Sequence, residues 1–407
     1  MWFYVQHILI PHQQAEAILR GTPRGNLSDL YPRWLGAREL LLHGRDPYSP
    51  EITREIQIGY YGRALDPASP SDPKDQQGFA YPAYVVFLLA PTVGLPFPIV
   101  QTGFRWFLVA LTAAALLLWL RTLRWRPSFT MMAILIVLTL GSFQVLQGIK
   151  LQQLSLLVGG LIAGCALLLA EGYFVLAGIL LALATIKPQL LLPLVAWLLC
   201  WAFSDWRRRQ NLMWGFLVTI GVLFASAEYV LPGWIGRFRG AVAAYRQYND
   251  GAGSVLDVLL TPEWGKVLTM LIVVAFAVTA WKFRRASNDS STFHLMFGLV
   301  LAITVVIVPK AAPYNQILLL PAILPLARRW QLLWYKNRIL RTLVMVCGLL
   351  IFWPWLAATA LTLASLGLPP DTVQKAWASP VWTSLAIPLA VAVLLASDFR
   401  DFTRAQD

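Results

Sequence analysis

The chain has 407 residues, of which 33 are Lys or Arg and 20 are Asp or Glu, for a formal net charge of +13. Charged residues make up 13% of it, about half the roughly 25% of a soluble domain, while hydrophobic residues make up 58% and the mean hydropathy is +0.61. One soluble core stops growing near ~250–300 residues and could not hide this much apolar surface, which excludes a soluble enzyme, a disordered chain and a fibrous protein and leaves an all-α polytopic integral membrane protein.

Residues 1–80 stand apart. They hold nine of the 20 acidic residues and a series of turn signals, Asp46-Pro47-Tyr48, Asp66-Pro67, Ser69-Pro70 and Asp72-Pro73. No basic leader or small-residue cleavage site marks a signal peptide, and the stub Trp2–Ile10 is too short to span. Ser28 is suited to cap a helix that runs to Leu42, with Leu30, Trp34, Ala37 and Leu41 at helical spacing on its apolar face. Asp29 and Arg33 are four apart and share the other face. A carboxylate kept ionised by a neighbouring cation can accept a proton from a hydroxyl; it can equally be a helix-start Asp stabilised by the dipole beside a solvated Arg. Spacing alone leaves both open.

Residues 81–95 form an apolar run too short and Pro-punctuated to cross, and read as a re-entrant or interfacial helix. Beyond it, spans are expected near 98–120, 128–147, 151–170, 173–187, 188–203, 212–231, 264–282, 292–308, 314–327, 339–357 and 380–397. Several fall short of the ~20 residues a bilayer needs, as helices that line a cavity at one membrane face do. Sixteen of the 33 cations sit in five clusters, around Arg121, Arg207, Lys282, Arg328 and Arg400, and counting spans puts every cluster on one side. That side is therefore cytoplasmic. The expected organisation is an outer segment 1–80, a transmembrane domain 81–397 with a large outer loop near 232–263, and a cytoplasmic tail 398–407. Basic residues clustered between apolar runs do not make the contiguous face that nucleic acid requires. Cys165, Cys200 and Cys347 all lie in apolar runs, and the four histidines form no ligand pattern, so no metal centre or cofactor is expected.

Polar chemistry collects at the expected outer ends. Lys150, Lys187 and Lys310 are isolated cations there; snorkelling leaves Lys150 open as either an interfacial anchor or a site cation, whereas Lys187, flanked by apolar residues, suits a lipid phosphate. Gln144, Gln147, Gln152, Gln153, Asn315 and Gln316 can cross-link helices or read sugar hydroxyls. Tyr81, Tyr84, Tyr314, Trp234 and Trp264 fit an aromatic belt.

Four stretches together resemble glycosyltransferase family 87, polytopic enzymes of the GT-C fold that include polyprenyl-phosphate-mannose-dependent mannosyltransferases. They are Asp29 followed by Ala37-Arg38-Glu39-Leu40 and Gly44-Arg45-Asp46-Pro47-Tyr48; Phe79-Ala80-Tyr81-Pro82; Gln153-Leu154-Ser155; and Gly178 through Ile186-Lys187-Pro188, with a weaker similarity over 309–321. The resemblance implies a GT-C-like bundle in the plasma membrane with its site on the outer face, and an inverting transfer of a mannose-like hexose from a polyprenyl-phosphate sugar to a lipid or glycan acceptor. It implies Asp29 as the base and Lys187 near the donor phosphate. Arg33, Arg38, Tyr81 and Gln153 are further expected substrate contacts, as are Lys310, Tyr314 and Asn315. The chain departs from the family in lacking a complete span before the acidic loop and in having Tyr314-Asn315 where many members carry His. A transporter or flippase of lipid-linked intermediates is the alternative, but it requires intramembrane charge relays and broken midplane helices, and intramembrane charges are almost absent here.

Overall fold

The computed structural model describes residues 1–22, 28–66, 68–69, 71–73, 75–248, 253–309 and 311–404. Pro67, Pro70 and Lys310, each named above, lie outside them. All regular structure among the described residues is helical.

The eleven expected spans all appear as helices, but in three forms. Phe97–Thr122, Trp206–Val230, Pro262–Lys282 and Arg338–Ala364 are single helices long and apolar enough to cross a membrane, and the stretch Pro370–Ser397 passes the same length and composition test. Two runs are broken. Phe129–Leu140 meets Phe143–Lys150 at 54°, where the Ser142 hydroxyl accepts from the Val145 amide and starts a new helix, and 313–328 meets Trp330–Lys336 at 61°. Leu154–Ala170, Phe174–Ala184, Pro188–Phe203 and Ser291–Ile307 are only 10–17 residues long.

Leu154–Ala170 and Ser291–Ile307 occupy the middle of the bundle and are buried along nearly their whole length. A helix surrounded by protein has its side chains satisfied by neighbours instead of lipid, so it can stop short of either membrane face. Close packing depends on small residues. A Cβ built on Gly178 would lie 2.4 Å from the Leu212 carbonyl oxygen and 2.6 Å from the Phe216 nitrogen, and one on Gly215 would lie 2.3 Å from the Val175 oxygen. Helices 174–184 and 206–230 thus touch backbone to backbone, the approach that glycine permits in membrane bundles. Gly178→Ala is expected to destabilise the protein by about 1–3 kcal/mol through overpacking, read as a lower unfolding midpoint in detergent. Gly221→Ala, on the same 206–230 helix but with nothing within 4 Å, leaves the midpoint unchanged or higher.

The N-terminal stub is longer than its first ten residues suggested. Helix continues through a π turn at Val5–Leu9 into Ile10–Leu19, and Tyr4, Val5, Ile8 and Leu9 pack on Phe143, Ala358, Leu361 and Val373. Residues 81–95 contain only the short helix Val85–Leu89, buried against helix Leu30–His43, and a 3₁₀ turn at Ala90–Thr92 with no buried residue, together too short to cross.

Candidate active site

Three helices begin at one place. Leu30–His43, Leu154–Ala170 and Pro188–Phe203 have Asp29, Gln153 and Lys187 at their N-caps, and in none does the cap side chain take up a helix amide. Each contributes the partial positive charge of a helix N-terminus. The three cap residues line a single cavity of about 1010 Å³.

The start of the 30–43 helix is fixed by long-range bonds. The Asp29 amide donates to the Leu151 carbonyl at 3.0 Å, the Ser28 hydroxyl reaches the same oxygen at 3.4 Å, and that hydroxyl accepts from the Leu30 amide at 3.1 Å. Ser28 therefore receives the first helix amide, as its sequence position predicts, although the helix proper opens one residue later. Opposite it, Gln152 turns the chain in the left-handed region (φ 48°), with its side-chain NH2 bonded to the Ile149 and Lys150 carbonyls. A non-glycine residue there carries strain that surrounding contacts must hold, and the result points Gln153 into the cavity.

Gln153 joins the two charged groups. The Lys187 ammonium, whose residue is 5% exposed, donates to Gln153 Oε1 at 2.8 Å and to Ser155 Oγ at 2.7 Å. An ammonium can only donate, so the amide oxygen must face it, and the amide NH2 is then turned toward Asp29, whose carboxylate Oδ2 accepts from it. The Ser155 hydroxyl in turn donates to Asn315 Oδ1 at 2.7 Å. The Tyr81 and Tyr314 rings lie 5.9 and 5.2 Å from the Lys187 nitrogen, near the range where a ring face attracts a cation. Tyr48 sets Tyr81 from behind, its hydroxyl donating to the Tyr81 carbonyl at 2.5 Å. All four stretches noted in the sequence thus converge here.

Arg33 meets Asp29 in an unexpected way. Its Nη1 donates to the Asp29 main-chain carbonyl at 2.7 Å, and the guanidinium lies 4.5 Å from the Tyr81 ring. Nε is buried without a partner. Burial works against the Arg33 charge, but Tyr81 and Asp29 beside it more than compensate and hold its pKa above the ordinary value.

Seven of the nine expected site residues line the cavity: Asp29, Arg33, Tyr81, Gln153, Lys187, Tyr314 and Asn315. Arg38 does not; it lies over Trp34 at 5.4 Å, outside the lining. Lys310 lies outside the described residues. Lys150 is tied to Gln13 Oε1 at 2.6 Å, and Gln144 donates to Gln316, which donates to the Ser384 carbonyl, so these amides cross-link helices. Among the rim aromatics, Tyr84 bonds Thr185 and packs against Trp234, while Trp264 is exposed.

Two parts of the cavity escaped the sequence reading. Asp75 and Asp257 are two further carboxylates in the lining, and helix Trp234–Tyr248 roofs the space with Phe238, Arg239, Val242, Tyr245 and Arg246. Those five recur at i, i+1, i+4, i+7 and i+8, the one-face spacing that would have revealed them. Arg237 anchors the roof by a 2.6 Å ion pair to Asp46. The remaining lining combines Ser254, Asp257, Lys266 and Thr269 with an aliphatic stretch of Leu192, Met270, Val273, Ile307 and Val308. Leu192, Met270 and Val273 are exposed.

No curated protein and no solved structure matches the chain. Residues 79–309 match the profile of glycosyltransferase family 87, a stretch that includes Tyr81, Gln153 and Lys187 and leaves Asp29 ahead of it. With more than half of its length matched, the chain belongs to glycosyltransferase family 87 and is a membrane glycosyltransferase.

Proposed function

We propose that the protein transfers a mannose-like hexose from a polyprenyl-phosphate sugar to a lipid or glycan acceptor at the outer membrane face, with inversion. The observation that carries this reading is the single Gln153 amide bonded on one side to the Asp29 carboxylate and on the other to the buried Lys187 ammonium, in a cavity whose wall includes an aliphatic stretch of Leu192, Met270, Val273, Ile307 and Val308. An isoprenoid tail suits that wall, and its phosphate suits Lys187 and two helix N-termini. The five basic clusters, read by the positive-inside rule, support an outer location for the cavity.

In the proposed step the acceptor hydroxyl loses its proton to Asp29 as its oxygen bonds the sugar's anomeric carbon. The bond from that carbon to the phosphate oxygen breaks on the opposite face, and the phosphate keeps the electron pair. Lys187 offsets the charge that grows there, an electrostatic effect strongest where water is excluded. A base on one side and a leaving group on the other make a single displacement, hence inversion.

The test supplies purified protein with radiolabelled polyprenyl-phosphate mannose or with a radiolabelled nucleotide sugar. Transfer is expected from the lipid donor alone. Transfer from the nucleotide sugar, with no lipid intermediate present, overturns the reading.

A further inference from the structure

Gln153 is 3% exposed, and both ends of its amide are engaged inside the protein: the oxygen takes the Lys187 ammonium at 2.8 Å and the NH2 donates to Asp29 Oδ2. A side chain that reads sugar hydroxyls turns its donors and acceptors to the ligand; this one turns them to a base and a cation. Nor does Gln153 serve its own helix, since as N-cap of Leu154–Ala170 its side chain takes up no helix amide.

The frame around Gln153 is built from several segments. Gln152, fully buried, makes the left-handed turn that aims it, with the Gln152 NH2 on the Ile149 and Lys150 carbonyls at 2.6 and 2.8 Å and the Gln101 amide 3.4 Å from the Gln152 oxygen. Ser155 holds the Lys187 ammonium at 2.7 Å, and the Asp29 main-chain amide is bonded to the Leu151 carbonyl. Both partners of the Gln153 amide are thus anchored independently of it.

Opposite charges in a site of low dielectric attract strongly. Drawn into direct contact, Asp29 and Lys187 would disable each other: the carboxylate would lose basicity, and the ammonium would turn from a phosphate to its partner. A neutral amide between them, donating to one and accepting from the other, favours both charged forms and keeps them apart.

We propose that Gln153 is a positioning residue for the transfer, holding the Asp29 carboxylate ionised and fixing its separation from the Lys187 ammonium. This rests on the transfer reading above, in which Asp29 is the base.

Gln153→Glu has nearly the same shape and leaves Lys187 an oxygen to donate to, but it gives Asp29 a second carboxylate in place of an NH2 donor. A like charge disfavours ionisation, so the two carboxyls titrate as a pair whose upper step lies above that of wild type. The other groups that act on Asp29 are unchanged by the substitution. They are Arg33 on its own helix, Lys187, Tyr81, and the phenols of Tyr60, Tyr61 and Tyr314. Burial holds the Tyr60 and Tyr61 hydroxyls above the ordinary phenol range, so neither titrates with the carboxylates. Asp75, Asp257, Arg239, Tyr245, Arg246 and Lys266 line the same cavity and are likewise unaltered.

Transfer from polyprenyl-phosphate mannose would be followed against pH for wild type, Gln153→Glu and Gln153→Asn, with the unfolding midpoint of each. The acidic limb of kcat/KM in Gln153→Glu is expected about one pH unit or more above that of wild type. Gln153→Asn keeps the amide but is one methylene shorter and cannot reach both partners. Its turnover is expected to fall ~10²-fold, as for a misplacement of about 1 Å, with KM little changed. An unmoved limb in Gln153→Glu, or wild-type turnover in Gln153→Asn, overturns the positioning role. A loss confined to KM does so too, because it marks a substrate contact. The carboxyl infrared band that disappears in Asp29→Asn reports the same titration without catalysis. Absence of transfer from the lipid donor would remove the donor reading; an upward shift of that band in Gln153→Glu would still support the Gln153 link, and an unmoved band would overturn it.

Discussion

Asp29→Asn is expected to lower turnover by ~10²–10⁴-fold, the worth of positioned base assistance, while leaving the protein folded. The substitution keeps nearly the same shape and an amide oxygen that can still accept from the Gln153 NH2, the bond Asp29 Oδ2 makes now. The Asp29 main-chain bonds to Leu151 and Arg33 are untouched by a side-chain change. An unchanged unfolding midpoint with turnover lost is therefore the expected pair of results. A folded Asn variant with near-normal turnover removes Asp29 from the mechanism. If turnover falls but the acidic limb of the wild-type pH profile persists, a different carboxylate is titrating, and Asp75 and Asp257, in the same lining, become the bases to test.

Lys187→Ala is expected to lower turnover by ~10²–10³-fold, comparable to removing one preorganised donor from a developing charge. It also leaves Gln153 Oε1 and Ser155 Oγ without the ammonium that both now bond, a loss worth about 1–3 kcal/mol of stability when such atoms stay buried. The two effects separate experimentally. Added ethylammonium can enter the vacated space and restore turnover, whereas a purely structural role would be answered by a stabilising lipid or a lower temperature. Lys187→Arg should recover only part of the activity, because a planar guanidinium cannot donate to Gln153 and Ser155 from the point an ammonium occupies. Full activity in Lys187→Ala, or rescue by temperature alone, would detach Lys187 from the leaving phosphate.

Much of the architecture was legible without coordinates. Apolar content places the chain in a membrane because backbone groups there must be satisfied within each segment, and helices are the open-ended way to do so. The same rule made all eleven runs visible, since each is a local stretch of sequence. Helix starts were legible for the same reason: Ser28 takes the first amide of the 30–43 helix, and Pro188 stands at the first position of its helix, where a missing N–H costs nothing. Isolation in an apolar context singled out Lys187, and it is buried.

What the tertiary structure alone decided is how these ends meet. Asp29 and Gln153 are 124 residues apart, and Gln153 and Lys187 are 34 apart; nothing in local periodicity says that one amide serves both. Arg33 illustrates the limit from the other side. Four-residue spacing brings it to Asp29, but Tyr81, from another segment, draws the guanidinium so that its bond falls on the main-chain carbonyl. Arg38, with an equally suggestive position, is taken by Trp34 on its own helix. The short helices could be counted from sequence, yet their place at the centre of the bundle, and the roof that helix 234–248 makes over the cavity, depend on which faces pack together. Local stretches determine the helices; contacts between residues far apart in the chain, each competing for the same few partners, determine the site.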